Sequence, residues 1–375
     1  MKILLLGNYL PDRQESMLRF AQMLQMGLTQ RGHEVRLVQP QPIFGKLKLS
    51  SSGLGKWLGY IDKFLLFPQH LRQAIAWADV VHICDHSNAM YTKYLENIPH
   101  LVTCHDLLAV RGALGDDTDC PASMTGKILQ NWILKSLQKS QMVVCVSSST
   151  KHDLEKLIEN PMFTKKTRLV LNGLNYSYKQ LYRDEVDSRL ANVVELDLSK
   201  PFILNVGSSL KRKNRDGIMR IFSKIKEQWD GQLVFAGEAL TTEQVQLAEQ
   251  LNIKERIIQI IKPDNNLLEA LYNRAFVFLF PSKCEGFGWP VIEAQACGCP
   301  VICSDRTSLP EVVGDSALMR SVEDESGFAA DIFRLSDPVE RHLWIQKGLN
   351  NVKRFTLDEM IKQYNQLYIE LVKHK

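Results

Sequence analysis

The stretch from Ala275 to Val301 constrains the fold more than any other part of the chain, because it reads as strand, glycine-rich turn, helix, turn and strand in one short span. The apolar run Ala275 to Phe280 suits a strand buried on both faces, as in a parallel sheet. Gly286 and Gly288 bracket a turn where bare backbone approaches a ligand; Pro290 stands where a first helical residue should, and Gly298 where a helix should stop. A helix N-terminus is then aimed at the carboxyl end of a strand. Its N–H groups and partial positive charge suit an anion, and the expected anion is a phosphate.

Two carboxylates frame this turn: Glu285 before it and Glu293 after it, the latter expected in the first helical turn. One carboxylate accepts from two vicinal hydroxyls at once, which is how a ribose is gripped. Glu293 is assigned that role and Glu285 the hydroxyls of a sugar. Either glutamate alone reads more simply as a dipole complement or a solvated loop charge. The whole pattern Glu-Gly-Phe-Gly-x-Pro-x-x-Glu-Ala, however, resembles the Glu-x7-Glu signature of the large retaining glycosyltransferase family 4, also called group 1. The resemblance implies an α/β chain of two Rossmann-like domains facing a cleft, the GT-B fold. It also implies that the first glutamate faces the donor sugar and the second the ribose, with Gly286, Phe287 and Gly288 lining the donor. Trp289 stands where a smaller apolar residue is commoner.

A length of 375 residues exceeds what one hydrophobic core organises, so two domains are expected. A net charge of +4 is too small an excess to argue for nucleic acid as a partner. No run approaches the roughly 18 apolar residues of a membrane span, and the apolar start Ile3 to Leu6 is too short for a signal-peptide core, so a cytoplasmic location is expected. Cys284, Cys297, Cys299 and Cys303 lie close together but form no C-x2-C pair and have no nearby histidine. They read as small packing residues, and no metal site is expected.

The chain opens as a βαβ unit over Lys2 to Leu6, Ser16 to Arg31 and His33 to Val38. The loop Asn8 to Ser16 lacks the Gly-x-Gly-x-x-Gly that wraps a dinucleotide, which disfavours a nicotinamide enzyme. It also lacks the pair of glycines usual in the resembled family. Residues 44–67 interleave Lys46, Lys48, Lys56 and Lys63 with Trp57, Tyr60, Phe64, Phe67 and several leucines. Such a segment either rests on an anionic membrane or packs its apolar side on the domain with its lysines in water; the first reading implies peripheral contact with the inner face of the plasma membrane and a lipid-linked acceptor.

Strands near Asp79 and Leu101 end in Asp85-His86 and His105-Asp106, where open α/β sheets place ligands. The second pair resembles the family's His-Asp at the cleft, which implies that His105 reaches the donor sugar with Asp106 beside it. The Asp-x-Asp within Asp116 to Asp119 sits in a loop between Gly115 and Pro121 and reads as a solvated lip, not a metal grip.

Residues 1–180 are expected to form the acceptor-side domain, 181–200 a polar linker, 201–355 the nucleotide-sugar domain, and 356–375 a terminal helix crossing back to the first domain. The second sheet opens with Phe202 to Val206, running into Gly207, Ser208 and the cluster Lys211, Arg212, Lys213. This is not a Walker A loop, since Gly-Lys-Ser/Thr is missing. Arg212 and Lys213 match the family's Arg-Lys and are expected to neutralise a diphosphate, although Ser208 replaces the family's commoner arginine. Gly237 ends a strand near the expected nucleotide base.

The expected reaction is metal-independent, retaining hexosyl transfer from a nucleotide-diphosphate sugar to a glycan or lipid-linked glycan in surface polysaccharide synthesis. Arg212, Lys213 and the helix start after Gly288 stabilise the leaving diphosphate, while His105 and Glu285 position the sugar. The Arg-Lys-Asn and Ser-Leu-Pro-Glu-Val segments resemble mannosyltransferase-like members and favour GDP-mannose over a UDP-sugar. The alternatives are an epimerase or sugar-phosphate-using relative of the same fold, and a non-catalytic nucleotide-sugar-binding subunit.

Overall fold

The computed structural model describes residues 1–47 and 54–373, with backbone alone at 47 and 54–57. The chain divides into two compact units, Met1–Asn175 with Leu357–Lys375, and Tyr176–Thr356.

The first unit is built on six parallel strands: β1 (Lys2–Leu6), β2 (Glu34–Val38), β3 (Val80–Ile83), β4 (His100–Cys104), β5 (Met142–Cys145) and β6 (Thr167–Leu169), in the order β2-β1-β3-β4-β5-β6. Ile3 to Leu6 is solvent-free on both faces, which is why it reads as an unbroken apolar run rather than an alternating one. The chain leaves β1 to one side for β2 and returns on the other side for β3, so the topological switch lies between β1 and β3.

The helix Glu15–Gln30 covers this sheet with Phe20, Ala21, Leu24 and Leu28, and Gly27 lets the terminal helix Leu357–Lys373 approach. A Cβ at Gly27 would stand 2.5 Å from Ile361 Cγ1. The terminal helix then reaches the sheet with Tyr368 Oη 2.7 Å from His82 Nδ1 and Tyr364 Oη 3.0 Å from Thr103 Oγ1.

The second unit holds β7 (Phe202–Gly207), β8 (Gln232–Gly237), β9 (Ile257–Ile261), β10 (Val277–Phe280), β11 (Val301–Ser304) and β12 (Leu318–Arg320), all parallel, in the order β12-β11-β10-β7-β8-β9. Its switch lies between β7 and β10, and the loops that leave those two strands carry the basic cluster and the Glu285 turn.

One sequence expectation is corrected. The stretch 181–200 is not a free linker: it contains the helix Arg183–Leu190 and belongs to the second unit, where Arg189 Nη1 meets the buried Glu269 Oε2 at 2.7 Å. The ion pairs Arg183–Asp187 and Glu185–Arg189 satisfy this helix through charges at i,i+4, leaving only Val186 and Leu190 as an apolar side.

In the segment 44–67, residues 48–53 lie outside the described residues, as do the side chains of Leu47, Leu54, Gly55, Lys56 and Trp57. The remainder folds onto its own unit. Buried Asp62 accepts from Tyr9 Oη (2.6 Å), Phe44 N (2.9 Å) and Gly45 N (2.9 Å), Lys63 Nζ lies 2.5 Å from Asp12, and Phe64 and Phe67 join the core. Among the described residues no helix is long and apolar enough to cross a membrane.

Candidate functional site

At the switch of the second unit, two strands end in glycines paired in register, Gly207 (φ +147°) and Gly237 (φ +128°). A Cβ at Gly237 would stand 2.3 Å from Gly207 O, so the backbone itself forms the surface there. Behind them lies a fully buried guanidinium that the sequence reading missed: Arg215 donates from Nη2 to Gly207 O (2.8 Å) and from Nη1 to Glu238 O (2.9 Å), tying both strand ends together. Burial brings its pKa down to about 10, which leaves it charged at neutral pH. Glu238 in turn accepts from Ser209 N and Oγ at 3.0 and 3.1 Å, shaping the loop on which half-buried Ser208 sits.

The turn Lys211–Lys213 is stitched to the loop after β10. Arg212 O accepts from Lys283 N (2.7 Å) and lies 3.0 Å from Ser282 Oγ, and Asn214, left-handed at φ +55°, donates to Pro281 O (3.0 Å). These backbone ties bring the cations onto Glu285. Lys213 Nζ lies 2.7 Å from Oε1, Arg212 Nη1 3.3 Å from Oε2, and Ser282 Oγ donates to Oε1 at 2.5 Å. Burial of Glu285 pushes its pKa up, but Lys213 first and Arg212 second more than reverse this, so the carboxyl is held below its ordinary range. The sequence reading gave the cations to a diphosphate and Glu285 to a sugar as separate groups; the structure joins them in one network.

The turn itself is clamped from the next loop. Glu285 N donates to Thr307 Oγ1 (3.0 Å), while Ser308 Oγ lies 3.0 Å from Glu285 O and 2.9 Å from Phe287 O. Gly288, at φ +105°, is the N-cap of the helix Trp289–Ala296 and supplies no side chain to it. Half-buried Gly286 precedes it at the rim, whereas the Phe287 ring is buried against Phe355 at 5.7 Å, so what Phe287 offers a ligand is backbone rather than ring. Glu293 is the fifth residue of that helix, not part of its first turn; it is buried, and Oε2 accepts from Tyr272 Oη at 2.9 Å. The cysteines of this unit pack as small apolar groups: burial raises the thiols of Cys299 and Cys303 to about 12.

The first unit gathers polar groups at its own switch. Asn8, after β1, donates to Asp85 Oδ2, after β3, at 2.5 Å; Ser87 Oγ donates to the same oxygen at 2.5 Å, and His86 Nδ1 lies 3.0 Å from Oδ1. For His86, burial lowers the pKa, but the Asp85 charge outweighs it and the net direction is up. His105, after β4, is buried with its ring edge-on to Phe20 at 4.6 Å. Its Nε2 lies 2.9 Å from Cys84 O, and since a carbonyl only accepts, the proton is on Nε2 and Nδ1 carries the lone pair. Burial lowers its pKa further, so this imidazole is neutral. Asp106 accepts from Leu108 N at 3.1 Å, closing the turn before the helix Leu108–Leu114 with one of its oxygens.

Two Rossmann-type parallel sheets in one chain, each collecting polar side chains at its switch point, define a two-domain GT-B fold. The description "Glycosyltransferase Family 4" matches residues 18–178 and "Glycosyl transferases group 1" matches residues 187–348, nearly the whole chain between them, and the chain belongs to this family. A curated relative, the O-antigen chain mannosyltransferase B of Escherichia coli, is 29% identical over 245 residues, which is 63% of this chain and 62% of the relative. The matched stretches therefore span about three fifths of the length of such relatives. Among solved structures, the sucrose-phosphate synthase of Thermosynechococcus elongatus superposes over 100% of both chains with a TM-score of 0.77 at 20% identity. Anabaena HepE in complex with UDP and glucose covers 98% of both chains with a TM-score of 0.75 at 14% identity. Both likenesses concern the fold.

Proposed function

We propose that this chain transfers a hexose, with retention, from a nucleotide-diphosphate sugar to a glycan or lipid-linked glycan of a surface polysaccharide, at the cytoplasmic face of a membrane and without a metal ion. The observation that carries the reading is the network of Lys213, Arg212 and Glu285 at the β7/β10 switch, beside the N-terminus of the helix Trp289–Ala296. As the bond from the sugar to phosphate breaks, negative charge grows on the departing diphosphate. Two cations held by backbone ties and a helix start are preorganised for that charge, and one such group is worth about 3 to 4 kcal/mol of barrier. In this reading Glu285, ionised, faces the positive charge that develops on the sugar. Neutral His105 offers an acceptor lone pair to a hydroxyl rather than a competing cation. The mannosyltransferase among the relatives supports mannose as the sugar, with GDP proposed as its carrier.

Thermal-shift titration with GDP, UDP and ADP, each with and without EDTA, tests this reading. Stabilisation by GDP above the others, unaffected by EDTA, is expected from mass action on a specific site. No stabilisation by any of the three, or a requirement for a divalent ion, overturns it.

A further inference from the structure

Arg215 is a cation in a place that penalises one. It is 1% exposed and opens the helix Arg215–Ile225, where a positive charge opposes the helix dipole. Among the described residues no carboxylate pairs with it, and its Nε is buried without a partner. Glu238, whose charge reaches it, is exposed and turns its carboxylate to Ser209 N and Oγ at 3.0 and 3.1 Å. Carbonyl oxygens and the ring of Phe235, 5.1 Å from its Cζ, are left to offset the burial, which is costly for a charge without its counter-ion.

The carbonyls that Arg215 holds decide where two peptide groups point. Nη2 donates to Gly207 O at 2.8 Å and Nη1 to Glu238 O at 2.9 Å. Among the described residues no peptide bond is cis, and a trans peptide carries its C=O and N–H on opposite sides. The N–H groups of Ser208 and Ala239 are therefore turned away from the guanidinium, on residues that are half-buried and exposed respectively, and neither is bonded within the described residues. Lys213 flanks the same surface, its Cε 3.7 Å from where a Cβ at Gly207 would stand. Its charge, however, is shared: Lys213 and Arg212 both face the carboxylate of Glu285, so two cations against one anion leave a single net positive charge. A nucleotide-diphosphate sugar carries a negative charge on each phosphate and gains another as the sugar departs.

We infer that Arg215 is a positioning residue for the phosphates of the donor: from behind the strand ends it aims the N–H groups of Ser208 and Ala239 at the ligand and adds its own charge to that of the Lys213 network. Bound phosphate is then the counter-ion that the buried guanidinium lacks within the protein. The inference rests on the transferase reading in that a nucleoside diphosphate is the anion concerned.

The test is calorimetric titration of the full chain in EDTA with GDP, GMP and guanosine, and in parallel with UDP, UMP and uridine, on the wild type, Arg215→Met and Arg215→Lys. In Arg215→Met the affinity for the diphosphate is expected to fall by about tenfold or more, the order of one unit charge acting through protein at an effective dielectric constant of about 20. The monophosphate is expected to lose less and the nucleoside nothing. Arg215→Lys keeps the charge but cannot span both carbonyls, so it is expected to recover part of the diphosphate affinity and, should the methionine variant not fold, to show the same graded loss in smaller measure. A loss equal for all three ligands of a series marks a purely structural role and overturns the inference, as does full diphosphate affinity in Arg215→Met; either leaves the transferase reading standing. Failure of the wild type to bind either diphosphate sinks that reading and the inference with it.

Discussion

Lys213 Nζ and Glu285 Oε1 stand 2.7 Å apart at the carboxyl ends of β7 and β10, with both side chains nearly out of solvent. Removing one partner strands the other. Lys213→Ala is expected to lower kcat by about 10²–10³, as loss of one preorganised charge does, and to cost on the order of 3 kcal/mol of stability because Glu285 stays buried with less compensation. Adding Glu285→Gln in the same chain should restore much of the melting temperature and none of the turnover. Steady-state kinetics and thermal melts on the two variants check this; a double variant no more stable than Lys213→Ala refutes the stranded-charge account.

The same pair sets an acid limit. Glu285 has a folded pKa below its unfolded value of about 4.3, so its stabilising contribution is fully present above that value and is lost as pH falls through the folded pKa. Thermal melts from pH 6 downward should therefore fall less steeply for Glu285→Gln than for the wild type. Parallel acid limbs would show that the network contributes nothing to folding.

Histidine titration separates three buried imidazoles. His86, raised by Asp85 against its burial, stabilises most below the unfolded pKa of about 6.5, and that contribution is lost as pH rises through the folded value. Burial holds His82 down to about 3 and also lowers His105. In ring-nitrogen NMR spectra, His86 is expected to titrate above 6.5 and His105 below it, while His82 stays neutral at pH 6. In the Asp85→Asn variant, the His86 titration should move to lower pH.

The sequence carried most of the fold because the central strands are short, doubly buried apolar runs, and because caps such as Ser147 and the Thr241/Gln244 box are written in local residues. It also located the Glu285 turn. What it did not carry were contacts made by folding. Lys213 and Glu285 are 72 positions apart, and Asn8 and Asp85 are 77 apart. Arg215 follows three other cations and has no local signal that it alone turns inward. Phe287 looked like part of the ligand turn because its neighbours are glycines, yet its ring serves the core. The helix 183–190 was hidden because ion pairs, not an apolar stripe, complete it.

The terminal helix is fixed to the first unit by buried polar bonds as well as by packing. His82 is solvent-free, with Nδ1 on Tyr368 Oη and Nε2 on Thr103 Oγ1, both at 2.7 Å. Tyr368→Phe leaves that nitrogen buried and unsatisfied, at a cost of about 1–3 kcal/mol in urea unfolding. Tyr368→Phe combined with His82→Phe removes both polar groups and is expected to recover part of that loss. A single variant as stable as the wild type would mean that water replaces the phenol.

Glu293 has two readings that one experiment divides. Its Oε2 accepts from Tyr272 Oη at 2.9 Å, and a carboxylate can accept from more than one donor at once. If the glutamate served only the tyrosine, Glu293→Gln and Tyr272→Phe would both cost stability, would fail to add in the double variant, and would leave nucleotide affinity alone. If it grips a ribose, Glu293→Gln removes a charge-assisted bond to a hydroxyl worth about 1.5–3 kcal/mol, which is about 10- to 150-fold in Kd, while Tyr272→Phe takes away nothing the nucleotide touches. The second pattern is expected, read by calorimetry with GDP. The distinction survives any change in fold stability, because Tyr272→Phe disturbs the same buried bond and serves as its control.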